Sequence, residues 1–235
     1  MAEDETRLGP LVHRSVHHAA IVWIAASVLF VVAMGVVQAG WTTSYSLTAN
    51  PISDLGNTQC GHWPDSGSRY VCSPWHVVFN VWLIAFGLLL ILGVLLATTA
   101  FPPRSSRTVG LGLVALAGIG AVGVGVFPEN VHPTDYHLAF AVLAFLAGNL
   151  ALMVLGAAMF RDTRWDGYRA YTMFSGLIGF VAFALEAFHV YLGLGVGGME
   201  RLIIAPLLLW LVVAGIHLLR VPAYAPRILP KSPSL

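Results

Sequence analysis

Charge is scarce in this chain and lysine almost missing: eleven of the twelve basic residues are Arg, and Lys231 is the single Lys. Charged residues make up 10% of the sequence, and the net charge is +1. No basic block, zinc-finger spacing or RNA-binding aromatic motif occurs, which argues against nucleic acid as a partner. What fills the space is apolar. Hydrophobic residues reach 57% and mean hydropathy is +0.79, too apolar for an ordinary soluble domain. The chain reads as all-α, a single membrane domain over residues 1–235.

Six runs are long enough, at about 1.5 Å per residue, to cross a hydrocarbon core of about 30 Å. They fall at about 18–39, 75–98, 109–127, 136–159, 171–192 and 200–220. Val37-Gln38-Ala39 has the look of a signal-peptidase site, but its apolar run exceeds the usual signal length, so a retained helix is expected. In the third run Ala117, Ala121 and Gly125 recur every fourth residue, a small-residue stripe that lets helix backbones approach closely. That helix is therefore expected in the bundle centre. Pro206 should kink or open the sixth helix. No repeat relates residues 1–107 to 108–235, so the paired halves of many transporters are not seen.

Orientation follows from the basic residues. Arg7, Arg14, Arg104, Arg107, Arg161, Arg164, Arg169, Arg220, Arg227 and Lys231 fall on one side of the six spans, and Arg69 and Arg201 on the other. The positive-inside rule then puts both termini in the cytoplasm and the 40–74 loop outside the cell membrane. Cys60 and Cys72 share that outward loop, where an oxidising compartment favours a bridge. Closing so short a loop contributes about 3 kcal/mol in the chain-entropy account.

The outward loop also carries Asn50-Pro51-Ile52-Ser53-Asp54-Leu55-Gly56. Pro51 disfavours helix at Asn50, Ser53 and Asp54 are good caps, and Gly56 permits positive φ. Two readings stay open: a capped turn packed on the bundle, or a rigid loop presenting Ser53 and Asp54 to a cavity. Asp54, His62, Asp65, His76, Glu129, His132, Asp135, His137, Glu186, His189 and Glu200 all fall on this side. A carboxylate within a span faces the bundle interior, because exposing it to lipid costs about 2.5–3.5 kcal/mol. Glu186 is such a group, and His189 three residues on would share its helix face.

Glu-x-x-His is a ligand spacing known from helix bundles. His76, His189 and Glu186 are accordingly the candidate metal ligands, and zinc is the ion such a set suits. Asp54, Glu129, Glu186 and His189 are the candidate acid/base residues, while Asn50, Ser53, His137, Glu200 and Arg201 are candidates for substrate binding. The competing account is a hydrogen-bonded network that ties the helix ends together.

The Asn50–Gly56 motif, Phe127-Pro128-Glu129 with His137 following, then Glu200-Arg201 and Pro206 before Trp210, resemble the bacterial and archaeal family called domain of unknown function 998. The resemblance covers nearly all the spans and implies six helices. It carries no settled activity. More distantly, Ile52-Ser53-Asp54 and Pro128-Glu129 are similar to the Frag1/DRAM/Sfk1 multi-pass proteins, some of them linked to lipid-anchor remodelling. Alkaline ceramidases share the idea of Ser, Asp and His near one leaflet, but this chain has no matching His-x-x-x-His. The function expected is a hydrolase or transferase acting on a membrane lipid at the outer leaflet. The alternatives are a non-catalytic lipid-binding or scaffold protein, and a small-solute or proton transporter.

Overall fold

The computed structural model describes residues 2–63, 69–131, 135–160 and 162–221. Its six long helices are α1 (Ala2–Ala39), α2 (His76–Leu96), α3 (Ser105–Val126), α4 (Asp135–Ala158), α5 (Tyr168–Ala187) and α6 (Gly195–Leu218). Each contains a stretch long and apolar enough to span a membrane, and in α1 that stretch is Val12–Ala39. In lipid every backbone N–H and C=O must be satisfied within the protein, which is why such runs become helices. The six expected spans are all present.

Each helix packs on the next, and α6 closes back on α1, so the six form a ring. The ring has a motif face, carrying the long 40–75 loop, and an Arg-rich face. Toward the Arg-rich face its centre is filled by buried aromatics. Trp23 lies 5.5 Å from Trp210, and Phe101 stacks on Trp165 at 5.0 Å between ring centroids.

Two span ends differ from the sequence reading. The fifth helix stops at Ala187 rather than near 192. The Phe188 N–H turns back to Ala184 and Leu185, and His189 follows with φ +58°, outside the helical region. The sixth begins at Gly195 rather than 200, which puts Glu200 in its second turn. Pro206 does not interrupt α6. Donors from neighbouring helices reach its carbonyls on either side of the proline, Ser27 Oγ to Leu208 O at 2.8 Å and Asn149 Nδ2 to Ile203 O at 3.1 Å.

Helix α3 packs between α2 and α4 as one wall of the ring, not at the bundle centre expected from its small residues, and its outer face exposes Leu116 and Ile119. Backbone meets backbone where Gly118 faces Gly87 of α2, and again where Gly125 of the stripe faces Asn80 O. A Cβ placed on Gly118 would stand 2.6 Å from Gly87 O. Ala117 and Ala121 are buried too, yet Ala121 faces the interior of the ring.

On the motif face, strands β1 (Gly61–Trp63) and β2 (Arg69–Val71) form an antiparallel hairpin with His62 opposite Tyr70. Continuing that register by one rung pairs Cys60 with Cys72, and the two are joined by a disulfide. The bridge therefore closes the open end of the hairpin, and it fixes the register that places Arg69.

Candidate functional site

The motif forms one 3-10 turn, Ser53–Gly56, tied to several elements at once. Asn50 links its beginning: Oδ1 accepts from Ser46 N at 3.0 Å and Nδ2 donates to Asp54 Oδ2 at 2.8 Å. Leu55 is fully buried, and its carbonyl accepts from Ser73 Oγ at 2.7 Å. Asn80, one turn into α2, donates through Nδ2 to Gly56 O at 2.8 Å. These are the obligatory backbone partners of an irregular segment folded into the protein interior.

Both basic residues of this face serve the turn. Arg69 grips Asp54 with two parallel bonds, Nε to Oδ2 and Nη2 to Oδ1, each 2.9 Å, the fork geometry that guanidinium and carboxylate share. Glu129 Oε1 lies 3.6 Å from the same Nη2. Arg201 instead collects carbonyls: its Nη1 donates to Leu47 O, Asn50 O and Gly197 O at 3.1, 2.8 and 2.7 Å. Its Nη2 donates to Tyr45 Oη at 2.5 Å. At Gly197 the 47–50 segment comes so close that a Cβ would collide with Asn50 O, while the Gly197 N–H donates to Thr48 O at 2.9 Å.

Burial pushes the Tyr45 phenol up to about 12, against the opposing pull of the neighbouring Arg201 guanidinium. The native protein therefore holds that proton where the unfolded chain, with a tyrosine pKa near about 10, has released it. With fewer protons bound to the unfolded state, stability falls as pH rises between about 10 and about 12, and is unaffected below. Melting temperature followed against pH should show this decline. Tyr45→Phe should reduce it, and an unchanged decline in that variant would place the titration elsewhere.

Glu200 reaches the turn from α6. Its Oε2 accepts from the backbone N–H of Ile52 and, at 3.4 Å, from that of Ser53. Behind this contact lies a cavity of about 50 Å³ within the ring. Its wall is apolar, led by Phe30, Phe79, Leu83 and Phe86, and its polar groups are Ser53, His137 and Glu200. His137 Nδ1 lies 2.8 Å from Phe127 O. A carbonyl only accepts, so Nδ1 carries a proton, which in a neutral ring leaves Nε2 as an acceptor. On the scale where one water needs about 10–15 Å³, the space admits a head group and a few carbons, not a whole lipid.

Of the candidates read from sequence, Asn50, Ser53, Asp54, Glu129, Glu200 and Arg201 meet at the turn, and His137 joins Ser53 and Glu200 at the cavity. Glu186, half-buried near the end of α5, acts electrostatically on Glu200. The expected metal trio is not gathered. His76 Nδ1 lies 2.9 Å from Ser73 O in the loop before its helix, and His189 lies on the exposed turn after α5, 3.2 Å from Tyr191 Oη. Because α5 ends at Ala187, Glu186 and His189 do not share a helical face. No group of three His, Cys, Asp or Glu able to hold a metal ion occurs among the described residues. Asp65 and His132 lie outside the described residues.

Sequence reasoning left out Arg69, Tyr45, Ser73 and Asn80 as parts of the site. A signal for Arg69 existed. It is one of two basic residues on a face with many carboxylates, and it sits three positions before a bridged cysteine. The cavity phenylalanines gave no signal, since an apolar residue in a span looks the same whether it faces lipid, core or ligand.

No curated protein and no solved structure matches this chain. The family described as "Protein of unknown function (DUF998)" matches residues 24–217, a stretch holding the motif turn, the hairpin and the whole cavity, and this integral membrane protein belongs to that family.

Proposed function

We propose that the chain binds a membrane lipid or similar amphiphile, one end of which enters the cavity beneath the motif turn. The observation that carries this reading is the cavity's composition: an apolar wall of aromatic and aliphatic side chains with Ser53, His137 and Glu200 among them. Small-molecule sites have this character, a hydrophobic lining with a few placed polar groups. The turn serves as the cavity's rigid roof, since Ile52 and Ser53 line it while Asn50, Asp54 and Arg201 hold the segment in place. Asp54 is assigned to that structural work, because its oxygens are engaged by Arg69 and Asn50 and a proton-abstracting base needs one free. Glu129, beside the same guanidinium, belongs with it.

Lipid extracted from purified wild-type protein should contain one species in stoichiometric amount. Ala121→Leu, which projects into the cavity, should lose it while the fold persists. Identical lipid content in the two proteins would refute a cavity ligand. A second reading, a lipid-directed hydrolase or transferase, is supported by His137, Glu200 and Ser53 lining one space. It requires that the retained lipid be turned over, with Glu200→Gln abolishing turnover.

The cavity belongs to the outer leaflet of the cell membrane in this proposal, with both termini cytoplasmic, because in the sequence ten of twelve basic residues fall in the termini and loops on the other side of the six spans. A cysteine placed at Ser105 in a cysteine-free background should stay unlabelled by an impermeant thiol reagent outside intact cells. Labelling there would invert the topology.

A further inference from the structure

The polar groups of the cavity are biased toward accepting hydrogen bonds. Among the described residues Glu200 engages the protein through Oε2 alone, with Ile52 N and Ser53 N, which leaves Oε1 for the cavity. His137, its Nδ1 committed to Phe127 O, offers Nε2. Ser53 brings a hydroxyl, which adapts to either role. Among the described residues no Arg or Lys lines the space. The nearest guanidinium, Arg201, is turned to Leu47 O, Asn50 O, Gly197 O and Tyr45 Oη. Arg69 is held by Asp54 on the other side of the turn.

A ligand that fits must therefore bring a donor, and an anion would enter an apolar space whose nearest charged group is a carboxylate. Burying an unpaired charge there is prohibitive. A hydroxyl suits both states of the site. It donates to Nε2 or to an ionised Glu200, and it accepts from Oε1 if that oxygen carries a proton. An ammonium suits only the ionised state and gives up far more hydration.

We propose that the cavity takes the head of a neutral, hydroxyl-bearing amphiphile, held between Glu200 Oε1 and His137 Nε2, and rejects phosphate and carboxylate head groups. This rests on reading the cavity as a lipid site. The test measures retention of decanol, decanoate, decylamine and decane by the full chain in phosphatidylcholine nanodiscs, at about pH 8 where decanoate is ionised. Retention is read by native mass spectrometry on wild type, Glu200→Gln, His137→Leu and Ala121→Leu.

Decanol should be retained about tenfold more strongly than decanoate, the value of one hydrogen bond to a charged group. Glu200→Gln keeps an oxygen for the Ile52 and Ser53 N–H groups but turns an amide donor to the cavity, so it should narrow or reverse that ratio. His137→Leu should weaken decanol and leave decane unchanged. If Glu200→Gln fails to assemble, the wild-type series decides alone. Equal retention of decane, decanol and decanoate, all lost in Ala121→Leu, would overturn the head-group inference and leave the lipid site standing. Preference for decylamine would overturn it as well. Retention unaffected by Ala121→Leu would bring down both the site and its head-group chemistry.

Discussion

Arg69→Met should destabilise the protein by about 3–5 kcal/mol, the penalty for leaving a buried carboxylate without its counter-ion. Asp54 is 0% exposed and the Arg69 side chain 9%, so water cannot replace the lost guanidinium. At about 2–4 °C per kcal/mol for a chain of this size, the melting temperature should fall by roughly 6–20 °C. The loss comes from stranding Asp54, not from any large net gain in forming the pair, because desolvating two charges offsets much of their attraction. Asp54→Asn in the same chain should therefore recover most of it. Asparagine keeps an oxygen for Asn50 Nδ2 and asks for no counter-ion. Glu129, 3.6 Å from the same guanidinium, limits the recovery, since it too loses a neighbour. A fall of under about 1 kcal/mol in Arg69→Met would mean that the pair behaves as an exposed one.

Gly118→Leu should be more disruptive than ordinary overpacking, which costs about 1–3 kcal/mol. At this crossing α2 and α3 meet through backbone, and Gly87 presents its carbonyl oxygen where the new Cβ would go. No side chain on either helix can rotate away, so the helices must separate along a stretch that holds the cavity wall. The expected result is loss of the monodisperse species on size-exclusion chromatography. Ala121→Leu, three residues along the same helix, is expected to remain folded because its side chain enters the cavity. If the two variants behave alike, the helix contact or the cavity has been misplaced.

The contrast between Gly118 and Ala121 also shows where the sequence stops being informative. The Ala117, Ala121 and Gly125 stripe indicates a helix that packs closely on its neighbours, and α3 does press on both α2 and α4, but it is one member of the ring and not its centre. The stripe does not tell which neighbour the backbone touches. That depends on the rotation of α3 against α2, which both helices settle together.

The same division runs through the site. Six spans are legible because hydropathy is summed over consecutive residues. The Cys60–Cys72 bridge is legible because the chain has two cysteines and both lie in one loop. The motif stands out because proline, glycine and capping residues act on their immediate neighbours. The placement of His189 outside α5 is not legible, because a helix end within an apolar run is decided by backbone dihedrals, here φ +58° at His189, and apolar periodicity does not record them. The pairing of Asp54 with Arg69 is not legible either, because that counter-ion, fifteen positions later, is placed by the register of a hairpin. Glu200 meets Ile52 across 148 residues, and its role follows from closure of α6 onto the rest of the ring. Local chemistry thus set the helices, the bridge and the turn. Which carboxylate is neutralised by an arginine and which faces a cavity is fixed by contacts between distant segments, and those exist only once the ring has closed.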